Sequence, residues 1–419
     1  MIDKKTIISD ANKSIEKKSF VWNMVASLMY SAQSPLLLLV ITRIIGLYEA
    51  GIFSVTYSLA HMFTNVGLYN MRSYQVSDTI EEYKFSDYYS SRIVTTIIMI
   101  ISCTAYSIFG KYDLEKMQLV LLWVLYRSIE SVEDVYHGEV QKQGRLDIVS
   151  KIVFIRISIS LLLFLIIIFI SKKLIWATGS LVMSAMIVYI VSNFYLKKKY
   201  NLKAQRQYKQ TRNLLYTCFP VFISSFLYSY FVNAPKYAID YYLSPESQSI
   251  FTIIFLPNMV INMIGIFIFK PMIGKMGEMW NKNEIKQFEI LILKQSIFLV
   301  AGTMVLVFAG TLIGLPLLAL IYGVSLEEYK IIFALLLFFG GISALNNYYS
   351  IVITVMRKQK YLMLAYGMGI FLCLSITNYA VKSYELSGAA WSFGIVMLPM
   401  FVIMALTIRM GIRRKKKDI

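Results

Sequence analysis

Between Tyr126 and Glu139 the sequence reads YRSIESVEDVYHGE, directly after the apolar run LVLLWVL. Arg127, Glu130, Glu133, Asp134, His137 and Glu139 crowd into this one stretch. Close carboxylates raise the proton affinity of at least one of them, and a nearby imidazole titrates near neutrality, so these are the parts of a proton- or cation-coupling site. At about 100° per residue, Arg127, Glu130, Glu133, Asp134 and His137 share roughly 120° of a helix surface. They form one wet stripe. Arg127 can pair with Glu130, and His137 with Glu133 and Asp134, which lowers the cost of burial without requiring function. Three readings stay open: a coupling site or cavity wall, an inner-gate ion-pair network, and a water-exposed helix end.

Other ionisable groups lie in apolar surroundings: Arg43 in ITRIIG, Arg156 in IVFIRISIS, and Lys236 and Asp240 in NAPKYAID, with Asn233 one turn before Lys236. A charge facing lipid at mid-bilayer costs at least about 2.5–3.5 kcal/mol, so these groups are expected to face a cavity. Arg43, Arg156, Asn233 and Lys236 are the candidate substrate-binding residues. Arg127, Glu130, Glu133, Asp134, His137 and Asp240 are the candidate gate or ion-coupling residues. The plainer alternative has Arg43 and Arg156 snorkelling to headgroups and Lys236 pairing with Asp240 at i, i+4. Pro235 lacks a backbone donor and is expected to loosen the helix there.

The elements that must position these groups follow from composition. The chain has 419 residues, 57% hydrophobic and 16% charged, with mean hydropathy +0.60. That is an integral membrane protein. Crossing a hydrocarbon core of roughly 30 Å takes about 20 helical residues. Such runs fall near 19–43, 50–70, 90–110, 118–140, 148–171 and 174–196, then near 214–241, 247–270, 291–314, 329–356, 361–381 and 387–410. The expected fold class is therefore all-α, with about twelve membrane helices. Lys and Arg concentrate in alternate connections: Lys4 to Lys18, Arg72 to Arg92, Lys142 to Lys151, Lys197 to Arg212, Lys270 to Lys294, Arg357 to Lys360, and Arg409 to Lys417. Cytoplasmic loops retain cations, so both termini are expected inside. The net charge of +18 then belongs to surfaces facing anionic lipid rather than to nucleic-acid binding. The first apolar run is too long for a signal peptide and lacks a small-residue cleavage pattern after it, so the first helix is expected to stay.

A shift of 198 residues lays GIFSVTYSLAHMFTNVGLYNMR, from Gly51, over SIFTIIFLPNMVINMIGIFIFK, from Ser249. Ile52 falls on Ile250, Phe53 on Phe251, Gly67 on Gly265 and Arg72 on Lys270. Both copies start inside, which implies two parallel six-helix lobes around a central cavity, a known transporter layout. The lobes are expected at 1–200 and 201–419, with a basic linker at about 197–213.

Several chemistries lack their motifs. No GxxxxGK[ST] occurs, so no ATP site is encoded, and no cofactor or metal is expected. Cys103, Cys218 and Cys373 fall inside spans and read as small core residues. His61 is remote from any metal spacing and reads as a packing residue. The longest outer connection is expected at LPLLALIYGVSLEEY, too short for the polar domain of a glycan-processing enzyme. The chain reads as a carrier.

The stretch ITRIIGLYEAGIFSVTYSLAHMFTNVGLYNMRSYQVSD resembles the opening helix pair of Wzx-like polysaccharide repeat-unit flippases, a branch of the multidrug/oligosaccharidyl-lipid/polysaccharide exporter superfamily. The Arg-x-x-Gly that ends the first helix is Arg43 to Gly46, and the Gly-Ile-Phe-Ser that begins the second is Gly51 to Ser54. FSDYYSSRIVTT, QKQGRLDIVSKIVFIR and NAPKYAIDYYLSPESQSIF are similar to the capsule and exopolysaccharide branch. Together these matches run from about residue 19 to 290.

The resemblance implies alternating-access transport of an undecaprenyl-pyrophosphate-linked oligosaccharide from the cytoplasmic to the outer leaflet. Arg43, Arg156 and Lys236 would be the cavity cations that attract it. Lys236 departs from the Arg more usual there, exchanging a bidentate fork for a point charge. The expected partners are that lipid-linked oligosaccharide and membrane lipid, with a polysaccharide polymerase and a chain-length regulator as candidates and the carrier itself a monomer. Lipid II flippases of the superfamily have two more helices, for which there is no room. Drug exporters lack the loop carrying Ser77–Asp78 and Asp87–Tyr88. An ion-coupled small-molecule or drug antiporter is the alternative, and a glycan polymerase a distant third.

Overall fold

The structure, a computed structural model, describes residues 4–78, 81–202, 210–269 and 272–417; within these, side chains are described from Ser14 onward, except at 259 and 263–269. Lys203, Arg206, Lys209 and Lys270 lie outside the described residues, as do the side chains of Lys4, Lys5 and Lys13. Among the described residues there is no strand. The helices are α1 (Lys4–Ile44), α2 (Leu47–Leu68), α3 (Met71–Ser77), α4 (Phe85–Phe109), α5 (Leu114–Lys142), α6 (Leu146–Ser171) and α7 (Leu174–Tyr200). They continue as α8 (Thr211–Tyr242), α9 (Pro245–Phe269), α10 (Ile273–Asn281), α11 (Ile285–Ala309), α12 (Leu315–Tyr322), α13 (Lys330–Val355) and α14 (Lys360–Lys417). By length and hydropathy alone, eight described segments are long and apolar enough to cross a membrane. The chain is an all-helical, multi-pass membrane protein.

Local chemistry sets the ends of these helices. Gly46 takes φ 125°, a conformation open to glycine, and turns α1 into α2. The Asp113 carboxylate accepts the Lys116 amide at 2.8 Å and starts α5. Gly144, at φ 76°, ends the α5 connection inside QKQGRLD. In the last helix the backbone leaves helical geometry at Glu385 (φ 50°, ψ −130°), and α14 folds back into two limbs. The limbs are antiparallel, with Gly369 against Met400 near the middle and Gly411 against Met356 and Lys358 at the open end. A Cβ on Gly388 would lie 1.9 Å from the Ala380 carbonyl oxygen, so the tight reversal requires glycine there.

One expectation changes here. LPLLALIYGVSLEEY is not one long loop: a π-helical turn at Gly310–Gly314 carries α11 into α12, which takes up its first half. Helix α1 begins at Lys4, ahead of its apolar run, and α8 runs through Pro235 from Thr211 to Tyr242.

The chain divides into two compact units, Met1–Phe226 and Leu227–Ile419, with the division inside α8. In the first unit α1 packs on α6, and α5 on α2, α4 and α7. Helix α2 is buried without a break from Ala50 to Ala60, and the Ser54, Thr56 and Thr64 hydroxyls donate to carbonyls one turn back at 2.7, 2.7 and 2.9 Å. That internal satisfaction is what lets a hydroxyl-rich helix sit in the middle of the unit. Gly67 ends it against Ser131 and Met99, where a Cβ would lie 2.8 Å from the serine Oγ, the close approach small residues permit between membrane helices. In the second unit α13 packs on α9, α11 and α14. Cys103, Cys218 and Cys373 are buried free thiols, as expected of core residues.

Candidate functional site

The α5 stripe forms one wall of a cavity of about 280 Å³ in the first unit. Glu130, Glu133, Asp134 and His137 line it from α5, with Tyr30 from α1, Arg72 from α3 and Arg156 from α6. Each charge is met by a specific partner. Arg127 is 1% exposed; its Nη1 lies 2.6 Å from Glu130 Oε2, and Nη2 donates to the Tyr57 hydroxyl at 2.5 Å. The guanidinium also stands over the Tyr57 ring, 4.9 Å from its centroid, a cation–π contact that offsets part of its lost hydration. Arg156 Nε approaches Glu133 Oε2 at 3.0 Å, and His137 Nε2 lies 3.6 Å from the other oxygen of the same carboxylate. Asp134 receives Arg72 Nη1 and Arg92 Nη2, each at 2.9 Å.

The network corrects one pairing expected from the sequence. Asp134 does not bind His137 as its partner; two guanidiniums from α3 and α4 bracket its carboxylate instead. The ion pairs join four guanidiniums (Arg72, Arg92, Arg127 and Arg156) to three carboxylates (Glu130, Glu133 and Asp134), so that with Glu139 the four acids of the stripe are balanced by four arginines. Arg72 and Arg92 had looked like loop cations. Arg92 is in fact 1% exposed in α4, and its Nη1 also donates to the Gly67 and Leu68 carbonyls that end α2. The hydroxyl-rich run SSRIVTT was the available signal, since it marks a helix face too polar for lipid.

The wall extends toward the end of α5. Arg72 Nε and Nη2 donate to Gln141 Oε1 at 3.0 and 2.9 Å, and Gln75 Nε2 donates to Glu139 Oε2 at 3.2 Å and to the Val135 carbonyl at 3.1 Å. Beyond it the Asp78 carboxylate accepts the Glu82 and Tyr83 amides at 2.9 and 3.1 Å and the Tyr88 hydroxyl at 3.0 Å. Burial opposes ionisation of Asp78, and these three donors outweigh it, holding the carboxyl below the usual range. His61 packs parallel to Tyr57, consistent with a packing residue.

The remaining candidates lie elsewhere. Arg43 is exposed at the end of α1 and is not among the residues that line this cavity. Asn233, Lys236 and Asp240 are on α8 in the second unit. Asn233 donates to its own helix at Ser229 O, 2.9 Å, and Lys236 is 2% exposed with Nζ 5.5 Å from the Phe255 ring centroid. The second unit also holds a neutral cluster that sequence reading missed. Asn347 Nδ2 lies 2.8 Å from both the Tyr228 hydroxyl and Asn262 Oδ1, and that hydroxyl is 2.8 Å from Ser343 Oγ. Two amides and two hydroxyls spread over three helices leave no local pattern to find.

Residues 17–276 match the family model described as polysaccharide biosynthesis protein. The chain belongs to this family. The resemblance to Wzx-like repeat-unit flippases is thereby borne out. Among curated proteins, it is 25% identical over 381 residues to the capsular polysaccharide biosynthesis protein CapF of Staphylococcus aureus, covering 89% of this chain and 94% of that one. Among solved structures, the lipid II flippase MurJ in an inward closed conformation aligns with TM-score 0.69 at 12% identity, covering 94% of this chain and 87% of that chain. An inward-facing multidrug resistance MATE family transporter of the MOP superfamily aligns with TM-score 0.63 at 13% identity, over 94% of this chain and 99% of its own. These likenesses establish the helical transporter fold.

Proposed function

We propose that this protein carries an undecaprenyl-pyrophosphate-linked oligosaccharide repeat unit from the cytoplasmic to the outer leaflet of a bacterial cytoplasmic membrane, for capsule or exopolysaccharide assembly. The termini are cytoplasmic in this reading, and the halves at about 1–200 and 201–419 are the bodies that alternate. The observation that carries it is a buried, guanidinium-rich network inside a membrane protein of the polysaccharide biosynthesis family. Guanidiniums are the groups best suited to grip phosphate oxygens in a dry site. At about 280 Å³ the cavity is smaller than the usual range for a drug-sized ligand, roughly 300–1,000 Å³, so it does not enclose a repeat unit. It acts as a closed gate whose cations become available when the ion pairs open.

In this scheme Arg156, Lys236, Asn233 and Arg43 contact the anionic head. Arg127, Glu130, Glu133, Asp134, His137 and Asp240 hold the gate and are the groups through which an ion gradient would act. The test replaces the chromosomal gene with Lys236→Ala. Surface polysaccharide should be lost while the protein reaches the membrane and lipid-linked repeat units accumulate. Normal polysaccharide in that strain ends the role given to Lys236; normal polysaccharide in a deletion strain ends the flippase reading. The likeness in fold to a multidrug transporter favours a second reading, an ion-coupled small-molecule antiporter. It predicts unchanged polysaccharide and altered drug sensitivity in the deletion strain.

A further inference from the structure

A second cavity, of about 570 Å³, lies at the open end of the α14 hairpin. Lys358, Arg413, Arg414, Lys416 and Lys417 line it, and among the described residues no Asp or Glu does. Cations in a last helical turn are partly accounted for by the helix dipole. Lys358 is not, because it arrives from the turn between α13 and α14. Gly411 makes that arrival possible: a Cβ there would lie 3.1 Å from Lys358 Nζ and 2.2 Å from the Met356 terminal methyl. Burial and the adjacent Arg414 charge both pull the Lys358 ammonium below its usual range. Lys416 also pairs with Glu289, outside the lining, and no ion pair to Lys358, Arg413 or Arg414 occurs among the described residues.

Apolar surface leads away from this cleft along both limbs. Tyr361, Leu364 and Met368 are exposed on the first limb at helical spacing, and Val402, Leu406 and Met410 on the second. Charge and shape together describe an occupant with a phosphate head and apolar tails lying along the hairpin.

We propose that this cleft is a binding site for an anionic phospholipid of the surrounding bilayer, its phosphate held by Lys358, Arg413 and Arg414 and its acyl chains by the two exposed rows. The site is separate from the one proposed for transported substrate and does not depend on that function. Each basic group near a lipid phosphate contributes about a fivefold change in affinity.

The test titrates the purified full-length protein with phosphatidylglycerol or phosphatidylcholine and counts retained lipid by native mass spectrometry. Wild type should prefer phosphatidylglycerol. Lys358→Gln with Arg414→Gln should lose about 25-fold of that affinity, with phosphatidylcholine retention unchanged and a monodisperse elution profile. Lys197→Gln with Lys198→Gln removes the same charge at the end of α7 and should leave the preference intact. An equal loss in that control means diffuse attraction and overturns the site. Absence of any preference in wild type does the same. Displacement of the phospholipid by a lower concentration of polyprenyl pyrophosphate overturns the assignment by giving the cleft to substrate.

Discussion

Arg156→Gln should be the most damaging neutralisation in the first cavity, and Glu133→Gln should rescue it. Arg156 and Glu133 side chains are 2% and 3% exposed and approach to 3.0 Å. At an effective dielectric of about 20, that separation corresponds to an attraction of about 5 kcal/mol, most of it spent on taking both charges out of water. Removing one partner leaves the other buried and uncompensated, a loss of about 3–5 kcal/mol. The two single variants should differ. Without Arg156, Glu133 shares its cavity with the Glu130 and Asp134 carboxylates, a histidine and Arg72, which is already engaged by Asp134. Without Glu133, Arg156 still lies in the field of Glu130. We expect Arg156→Gln to carry the full loss and Glu133→Gln about half of it, with the double variant within about 1–2 kcal/mol of wild type because neither charge is left alone. Thermal unfolding of membrane proteins is commonly irreversible, so the quantity to compare is the order of apparent Tm values at one scan rate. Fluorescence-detected size exclusion of heated, detergent-solubilised samples provides it. A double variant less stable than Arg156→Gln alone would refute the pairing argument.

Asp78→Asn should lower the apparent Tm at pH 7, since the variant loses charge-assisted bonds worth about 1.5–3 kcal/mol. The folded carboxyl sits below its ordinary range, so its contribution is present above the unfolded pKa, near 3.8, and disappears as pH falls through the folded value. Wild type and variant should therefore converge only below about pH 4; a constant difference down to pH 3 would contradict this. Gly388→Ala should fail to give a monodisperse protein, whereas Gly367→Ala, with nothing within 4 Å of its new Cβ, should match or slightly exceed wild type in Tm; equal behaviour of the two would remove the steric account of the α14 reversal. Glu130→Gln and Asp134→Asn should give polysaccharide defects that depend on external pH or on the ion gradient. If both behave as wild type at every pH tested, the network is structural.

The sequence located the helices well because membrane spans are written locally, as runs of apolar residues. The positions of Arg43, Arg127, Arg156 and Lys236 were equally legible, since a charge inside such a run stands out. Their partners were not. The i, i+3 pair of Arg127 and Glu130 could be read from helical spacing and is present at 2.6 Å. Asp134 had an equally good local partner in His137, yet it binds Arg72 and Arg92, which reach it from α3 and α4. A neutral or singly charged imidazole on the same helix cannot compete with two forked guanidiniums aimed at both carboxylate oxygens. The same tertiary pairing changes the polarity of the wall. Read along α5 alone, it is anionic and repels a pyrophosphate; with Arg72, Arg92 and Arg156 reaching it from α3, α4 and α6, its carboxylates are balanced by arginines. In the proposed role the carboxylates hold the guanidiniums in reserve, and an anion that enters would displace Glu133 or Asp134 from an arginine to bind. Opening the gate and binding the phosphate would be the same exchange of partners.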